Sequence, residues 1–151
     1  MKILLAIDDS KFSEAALRMI LSQNRPRDTT VLVLHVVTPV GTFVPPDLAL
    51  VSATDWDKIR KRQLQIAQKL VERIKERLRA KGFPADSAVV EGNARAEIVG
   101  RAAKWKADLI VVGSHGLKGL NRLLLGSVSE YVVRHARCSV QVVRLSKNKA
   151  A

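Results

Sequence analysis

The residues best suited to chemistry stand together near the C-terminus: Gly113-Ser-His-Gly116, then nine residues, then Gly126-Ser127. They follow the apolar run Asp108 to Gly113 and precede a helical pattern. Glycines at a strand end let the backbone turn tightly and approach a ligand closely, and a helix starting just after them presents free N–H groups and a positive dipole end. Phosphate suits that environment. Ser127 and Ser129 add hydroxyl donors in the first helical turn, while Lys118 and Arg122 add positive charge in the spacer. No Gly-Lys-Ser/Thr follows the glycines and no Gly-x-Gly-x-x-Gly follows the first strand, so the P-loop and dinucleotide patterns are both absent. Residue types alone leave two readings level: a phosphate cradle, or a turn at Gly113 and Gly116 followed by a helix cap at Ser127.

Other constellations carry less. His115, Ser127 and Asp8 have the residue types of a nucleophilic triad, but there is no Gly-x-Ser-x-Gly elbow and the chain order matches no hydrolase. His135 and Cys138 have helical ligand spacing, yet two ligands do not make a zinc site, and both read as packing residues. His35, inside an apolar strand, reads as a satisfied core histidine. Asp8 taken by itself reads as a helix cap. Trp56 and Trp105 read as helix anchors, and Leu120, Leu123, Leu124 and Leu125 as residues packing on a sheet.

The elements that must position these residues alternate between short apolar runs and longer helical stretches, the sequence form of repeated βαβ units with a mostly parallel sheet. Lys2 to Asp8 reads as a buried strand, with Ser10 capping a helix through Ala15, Ala16, Leu17, Ile20 and Leu21 that Pro26 stops. Thr30 to Val37 is almost continuously apolar, as a strand covered on both faces requires. Pro39 to Asp57 contains Gly41, Pro45 and Pro46 without a period, so a long loop is expected. Thr54 then caps a helix whose Ile59, Ile66, Leu70, Ile74 and Leu78 form one inward stripe until Gly82 and Pro84 end it. Ser87 to Glu91 is a third strand, Asn93 caps a helix reaching about Lys106, and Asp108 to Gly113 is the fourth strand. A helix from Gly126 to about Ala136 leads to the fifth, Ser139 to Leu145. Residues 1–146 form one domain, with 147–151 a flexible basic tail.

Composition narrows the setting. The chain has 151 residues, 47% of them hydrophobic, which is enough for one core. Its one cysteine, Cys138, rules out an internal disulfide and fits a reducing compartment. The opening apolar run is cut off by Asp8 and Asp9, too early for a signal peptide, and no run approaches the roughly 20 residues of a membrane-spanning helix. A cytoplasmic protein without a membrane partner is expected. The net charge of +12 attracts nucleotides, nucleic acid and anionic lipid alike. Much of the excess lies between Lys58 and Lys81, in Arg60, Lys61, Arg62, Lys69, Arg73, Lys75, Arg77 and Arg79, where a solvated helix face is the plain reading. Nucleic-acid binding by that stretch is the minority reading, weakened by an aromatic content of 4%.

The order DLIVVG, G-x-x-G, nine residues, G-S, then VSEYVVRHARCSVQVVR resembles the ATP-binding signature of the universal stress protein family. The N-terminal KILLAIDDSKFSEAAL resembles that family's first strand and helix, so the resemblance covers nearly the whole chain. It departs in Asp9, where glycine or another residue often stands, and in Arg137 and Ser139, which replace prolines often flanking the position of Cys138.

The resemblance implies an α/β fold, an open, doubly wound, parallel sheet of five strands in the order 3-2-1-4-5, Rossmann-like, with ATP beyond the carboxyl ends of strands one and four. It implies that Asp8 contacts the adenosine part, that Ala6 and Ile7 line the pocket beside it, and that Val36 meets the adenine. It further implies that Gly113, Ser114, His115 and Gly116 approach ribose and phosphates, and that Gly126, Ser127, Val128 and Ser129 hold the phosphate chain. Any Mg²⁺ would arrive with the nucleotide, and two copies would pair through the last strand as a homodimer. The expected function is nucleotide-dependent regulation in stress, with slow ATP hydrolysis at most; the rival is a basic module binding nucleic acid or another acidic partner.

Overall fold

Five apolar runs pair side by side into one parallel sheet: β1 (Lys2–Ile7), β2 (Thr30–Val37), β3 (Ala85–Glu91), β4 (Leu109–Gly113) and β5 (Ser139–Val143). The computed structural model describes residues 1–23, 28–39, 53–116 and 125–145, with the side chains of 53 and 54 left aside. The strand order is β3-β2-β1-β4-β5, as the resemblance implies. β1 pairs with β2 on one side (Ile7 opposite His35) and with β4 on the other (Ala6 opposite Val112), so the chain's winding reverses at β1.

Alternation along the strands divides the core between the two faces of the sheet. Ile3, Leu5, Val31 and Val33 meet Leu17 and Ile20 of α1 (Lys11–Ser22) and Leu70, Ile74 and Leu78 of α2 (Ala53–Arg79). Leu4, Ala6, Leu32, Leu34 and Ile110 meet Ile98 and Ala102 of α3 (Ala94–Trp105) and Val132 of α4 (Ser127–His135). Successive side chains of a strand point to opposite faces, so a central strand covered by helices on both must be apolar throughout, and β1 and β2 are.

Local signals place the helix ends. Ser10 caps α1, its side chain accepting from the Ser13 N–H, and Asn93 caps α3 by accepting from the Arg95 N–H. Gly82 ends the turn after α2 with φ of +84°, a conformation that glycine adopts without steric cost. The α1 helix ends at Ser22, so Pro26, outside the described residues, is not needed to stop it. Residues 40–52 of the expected loop, and the 147–151 tail, also lie outside the described residues.

Two expectations for the long helix are corrected. It begins at Ala53, so residues 53–57 belong to α2 rather than to a loop and Thr54 lies within the helix instead of capping it; the Lys58–Asp55 and Lys61–Asp57 pairs support that first turn locally. Its apolar stripe is not buried end to end: Ile59 and Ile66 are 40% and 58% exposed, and the seam is filled by Ala67, Leu70, Val71, Ile74 and Leu78. For Ile59 the reason is length. A helix of 27 residues runs to about 40 Å, whereas the eight-residue β2 spans about 26 Å. Arg60 already bonds to Glu91, the last residue of β3, so Ile59 stands at the limit of the sheet.

Candidate functional site

Where the winding reverses, the carboxyl ends of β1, β2 and β4 and the starts of α3 and α4 surround a cavity of about 610 Å³. Open parallel sheets bind ligands at such a point because neighbouring loops there diverge to opposite faces. Its floor consists of Ala6, Leu34, Val36, Ile98, Val112 and Val128, all on the face that packs under α3 and α4. Its rim is polar, with Asp8, Ser13, His35 and Thr38 on one side and His115, Ser127 and Ser129 on the other. Among the residues named from the sequence, Ala6, Ile7, Asp8, Val36, Gly113, His115, Gly116, Gly126, Ser127, Val128 and Ser129 all line it.

Ser114 is not among the described residues that line the cavity. It is 2% exposed and acts as a strut: its N–H donates to the Val143 carbonyl (2.8 Å), and its carbonyl accepts from the Gly126 N–H (2.8 Å) and the Ser129 hydroxyl (3.0 Å). Those bonds bring the two halves of the glycine segment together. Ser129 is likewise turned inward, its hydroxyl also lying 2.8 Å from the Gly126 carbonyl, so its side chain joins backbone groups. Among the described residues, Leu125 lies beside this segment, while Lys118, Leu120, Arg122, Leu123 and Leu124 fall outside them.

Gly113, Gly116 and Gly126 each have a close neighbour on the side where a Cβ would stand. A Cβ at Gly113 would stand 2.7 Å from the Phe12 Cβ and 2.9 Å from its carbonyl carbon, so glycine lets α1 seat against the end of β4. At Gly126 it would stand 3.1 Å from the Ser114 carbonyl oxygen and 3.2 Å from the His115 Cα. At Gly116 it would stand 2.6 Å from Oδ2 of Asp8. Gly113 is the last residue of β4, and its close approach is to Phe12. Ser127 does not cap α4, because Gly126 occupies that position.

Gly126 has no side chain to accept the first N–H groups of α4, which are thus left to another acceptor. The start of α3 differs, being closed by Asn93. The two helix ends that face the cavity are therefore unequal, and only α4 presents an uncapped positive end suited to an anion. Asp8 is braced on the opposite rim: its Oδ1 accepts from the Ser13 hydroxyl (2.7 Å) and the Ser10 N–H (3.2 Å), while its own N–H donates to the Ser13 hydroxyl oxygen (2.8 Å).

Sequence reading missed several lining residues, among them Ser13, Thr38, Asn93, Ala94 and Arg95. Nothing in the spacing of Arg95 marks it; it reaches the cavity only because β3 pairs with β2, with Val36 opposite Val90 and the Gly92 N–H donating to the Val37 carbonyl. His35 is hydrogen-bonded as expected, its Nδ1 lying 2.7 Å from the Ile7 carbonyl, but it is half-buried at the rim rather than in the core. His135 stacks on Tyr131 with ring centroids 3.9 Å apart, and burial raises the Cys138 thiol above its usual range, both in keeping with packing roles. Among the described residues no group of three or more His, Cys, Asp or Glu could hold a metal ion, and no helix is long and apolar enough to cross a membrane.

The basic helix changes meaning in three dimensions. Arg60, Lys61, Arg73, Lys75, Arg77 and Arg79 all sit in ion pairs, four of them with acids outside the helix: Glu91, Asp9, Glu14 and Asp86. Such pairing spends charge that a nucleic-acid interface would need.

A family model described as "Universal stress protein family" matches residues 1–144. Universal stress protein MJ0531 of Methanocaldococcus jannaschii is 33% identical over 148 residues, covering 98% of this chain and 84% of its own length. The solved structure of the M. jannaschii protein MJ0577 superposes with a TM-score of 0.83 at 28% identity, covering 97% of each chain. A family protein from Arabidopsis thaliana, solved with AMP bound, has a TM-score of 0.68 at 20% identity and covers 100% of this chain and 96% of its own. A universal stress protein in complex with cAMP has a TM-score of 0.63 at 22% identity, covering 97% of this chain and 98% of its own. Likeness at these last two identities is one of fold.

Proposed function

The chain belongs to the universal stress protein family, and on that premise we propose that it is an ATP-binding regulatory protein whose nucleotide occupies the cavity beyond β1 and β4. The observation that carries the reading is the cavity's polarity: an aliphatic floor at one end and, at the other, the uncapped start of α4. The volume falls within the usual range for small-molecule sites. A base desolvated on the floor is held by its apolar area, and phosphate oxygens accept from the main-chain N–H groups at the start of α4, which no side chain at Gly126 caps.

The adenine meets Val36, Ala6 and Ile7 line its pocket, and Asp8 contacts the adenosine part. Gly113, His115 and Gly116 approach ribose and phosphates, Ser114 shapes their loop from behind, and Gly126, Ser127, Val128 and Ser129 hold the phosphate chain. Two relatives of the same fold bind AMP and cAMP, which supports an adenine nucleotide as the ligand class. Mg²⁺ enters with the triphosphate. The nucleotide state then alters the surface that partners meet, in the cytoplasm. The domain spans residues 1–146, and the chain acts as a homodimer paired through β5, which ends the sheet and leaves one strand edge open.

The test is direct. Protein denatured after purification should release an adenine nucleotide, and stripped, refolded protein should show saturable heat with ATP in calorimetry. Absence of both overturns the reading. Salt-sensitive retention on DNA that survives substitution of Gly126 would favour the basic-module alternative instead.

A further inference from the structure

A purine resting on the cavity floor would have one face against aliphatic side chains and, among the described residues, no aromatic ring against the other. No Phe, Tyr or Trp is among the described residues that line the cavity. Arg95, in the first turn of α3, lines the cavity together with Val36. The pairing of Val36 with Val90 and the bond from the Gly92 N–H to the Val37 carbonyl fix it there, across β1 from the start of α4. Arg95 forms no ion pair among the described residues, whereas Arg60, at the end of the same β3 edge, is held by Glu91 through two bonds of 2.7 Å. The Arg95 N–H is taken by the Asn93 side chain, so this residue has its guanidinium left to offer a ligand.

We propose that Arg95 is the specificity-determining residue at the base end, its planar guanidinium stacking on the outer face of the purine and closing it against the floor. This rests on the nucleotide reading above. A guanidinium is flat and weakly hydrated, and it gains most when it covers a π-face, whereas a lysine ammonium is a compact, strongly hydrated charge. The chemistry recognised is therefore an aromatic base, and the contribution is independent of how many phosphates follow.

The experiment titrates wild type, Arg95→Ala and Arg95→Lys with adenosine, AMP and ATP by calorimetry. Arg95→Ala should weaken all three by the same factor, about tenfold. Arg95→Lys should stay within about threefold of the alanine variant. Far-UV circular dichroism and the melting temperature should not move, because the side chain is exposed and the helix cap uses only its backbone. A loss that grows from adenosine to ATP and is restored by lysine overturns the proposal in favour of a phosphate contact. Wild type that binds while Arg95→Ala is unchanged overturns this inference alone; wild type that binds none of the three overturns the nucleotide reading with it.

Discussion

Gly116 and the Asp8 carboxylate occupy one space: a side chain on the glycine would begin 2.6 Å from Oδ2 of Asp8, while Oδ1 is held by Ser10 and Ser13. The first strand and the fourth are thereby coupled at the rim of the cavity, because the carboxylate can make room only by giving up bonds that brace the start of α1. Gly116→Ala should accordingly lower ATP affinity at least about tenfold and destabilise the fold by roughly 1 kcal/mol. Calorimetry and urea unfolding of the variant check both. Undiminished affinity would mean that Asp8 has no part in the site.

The two serines of α4 should behave differently. Ser129 is buried and its hydroxyl meets the Ser114 and Gly126 carbonyls, both of which also accept a backbone N–H. Ser129→Ala is expected to cost about 1 kcal/mol of stability and to leave ATP affinity within about twofold. Ser127 is exposed at the cavity, so Ser127→Ala should leave stability unchanged and weaken ATP severalfold. Thermal melts with nucleotide titrations separate the two.

Gly126 tests the phosphate end. A methyl there is crowded but tolerable at 3.1 Å from the Ser114 carbonyl oxygen, and valine adds bulk beside the first N–H groups of α4. Gly126→Val should weaken ATP far more than adenosine, with Gly126→Ala between it and wild type. An equal loss for both ligands would place the phosphates elsewhere.

Acid should loosen the packing of α1 on α2. Arg77 donates to both Glu14 oxygens at 2.7 Å, and chiefly through this hydrogen bond it lowers the Glu14 pKa below its ordinary value. A lowered folded-state pKa means that the pair's stabilisation is complete above the unfolded value, about 4.3, and fades as pH falls through the folded one. Both side chains are partly exposed, at 37% and 41%, so solvent screening limits the effect to about 0.5–1 kcal/mol. The stability gap between wild type and Glu14→Gln, measured by urea unfolding, should be constant from neutral pH to about pH 5 and close below about pH 4. A gap that persists at pH 3 would show that the carboxylate is not its source.

The chain's own pattern determined which segments become strands and helices, because hydrophobic period and capping residues act over a few residues. Thr30 to Val37 is a strand wherever it is placed, and Ser10 and Asn93 cap whatever follows them. The glycine segment was legible as a place of close approach for the same reason. What each glycine approaches was not: Phe12, Asp8 and Ser114 reach these positions only through the β1–β4 pairing and the seating of α1. The same holds for Ile59, apolar in pattern yet exposed because α2 outruns the sheet, and for Arg60, Arg73 and Arg77 of α2, paired with acids outside the helix. Arg95 entered the cavity by strand adjacency alone. Local periodicity carries no information about such meetings, since they depend on strand order, and strand order is decided when the whole core closes.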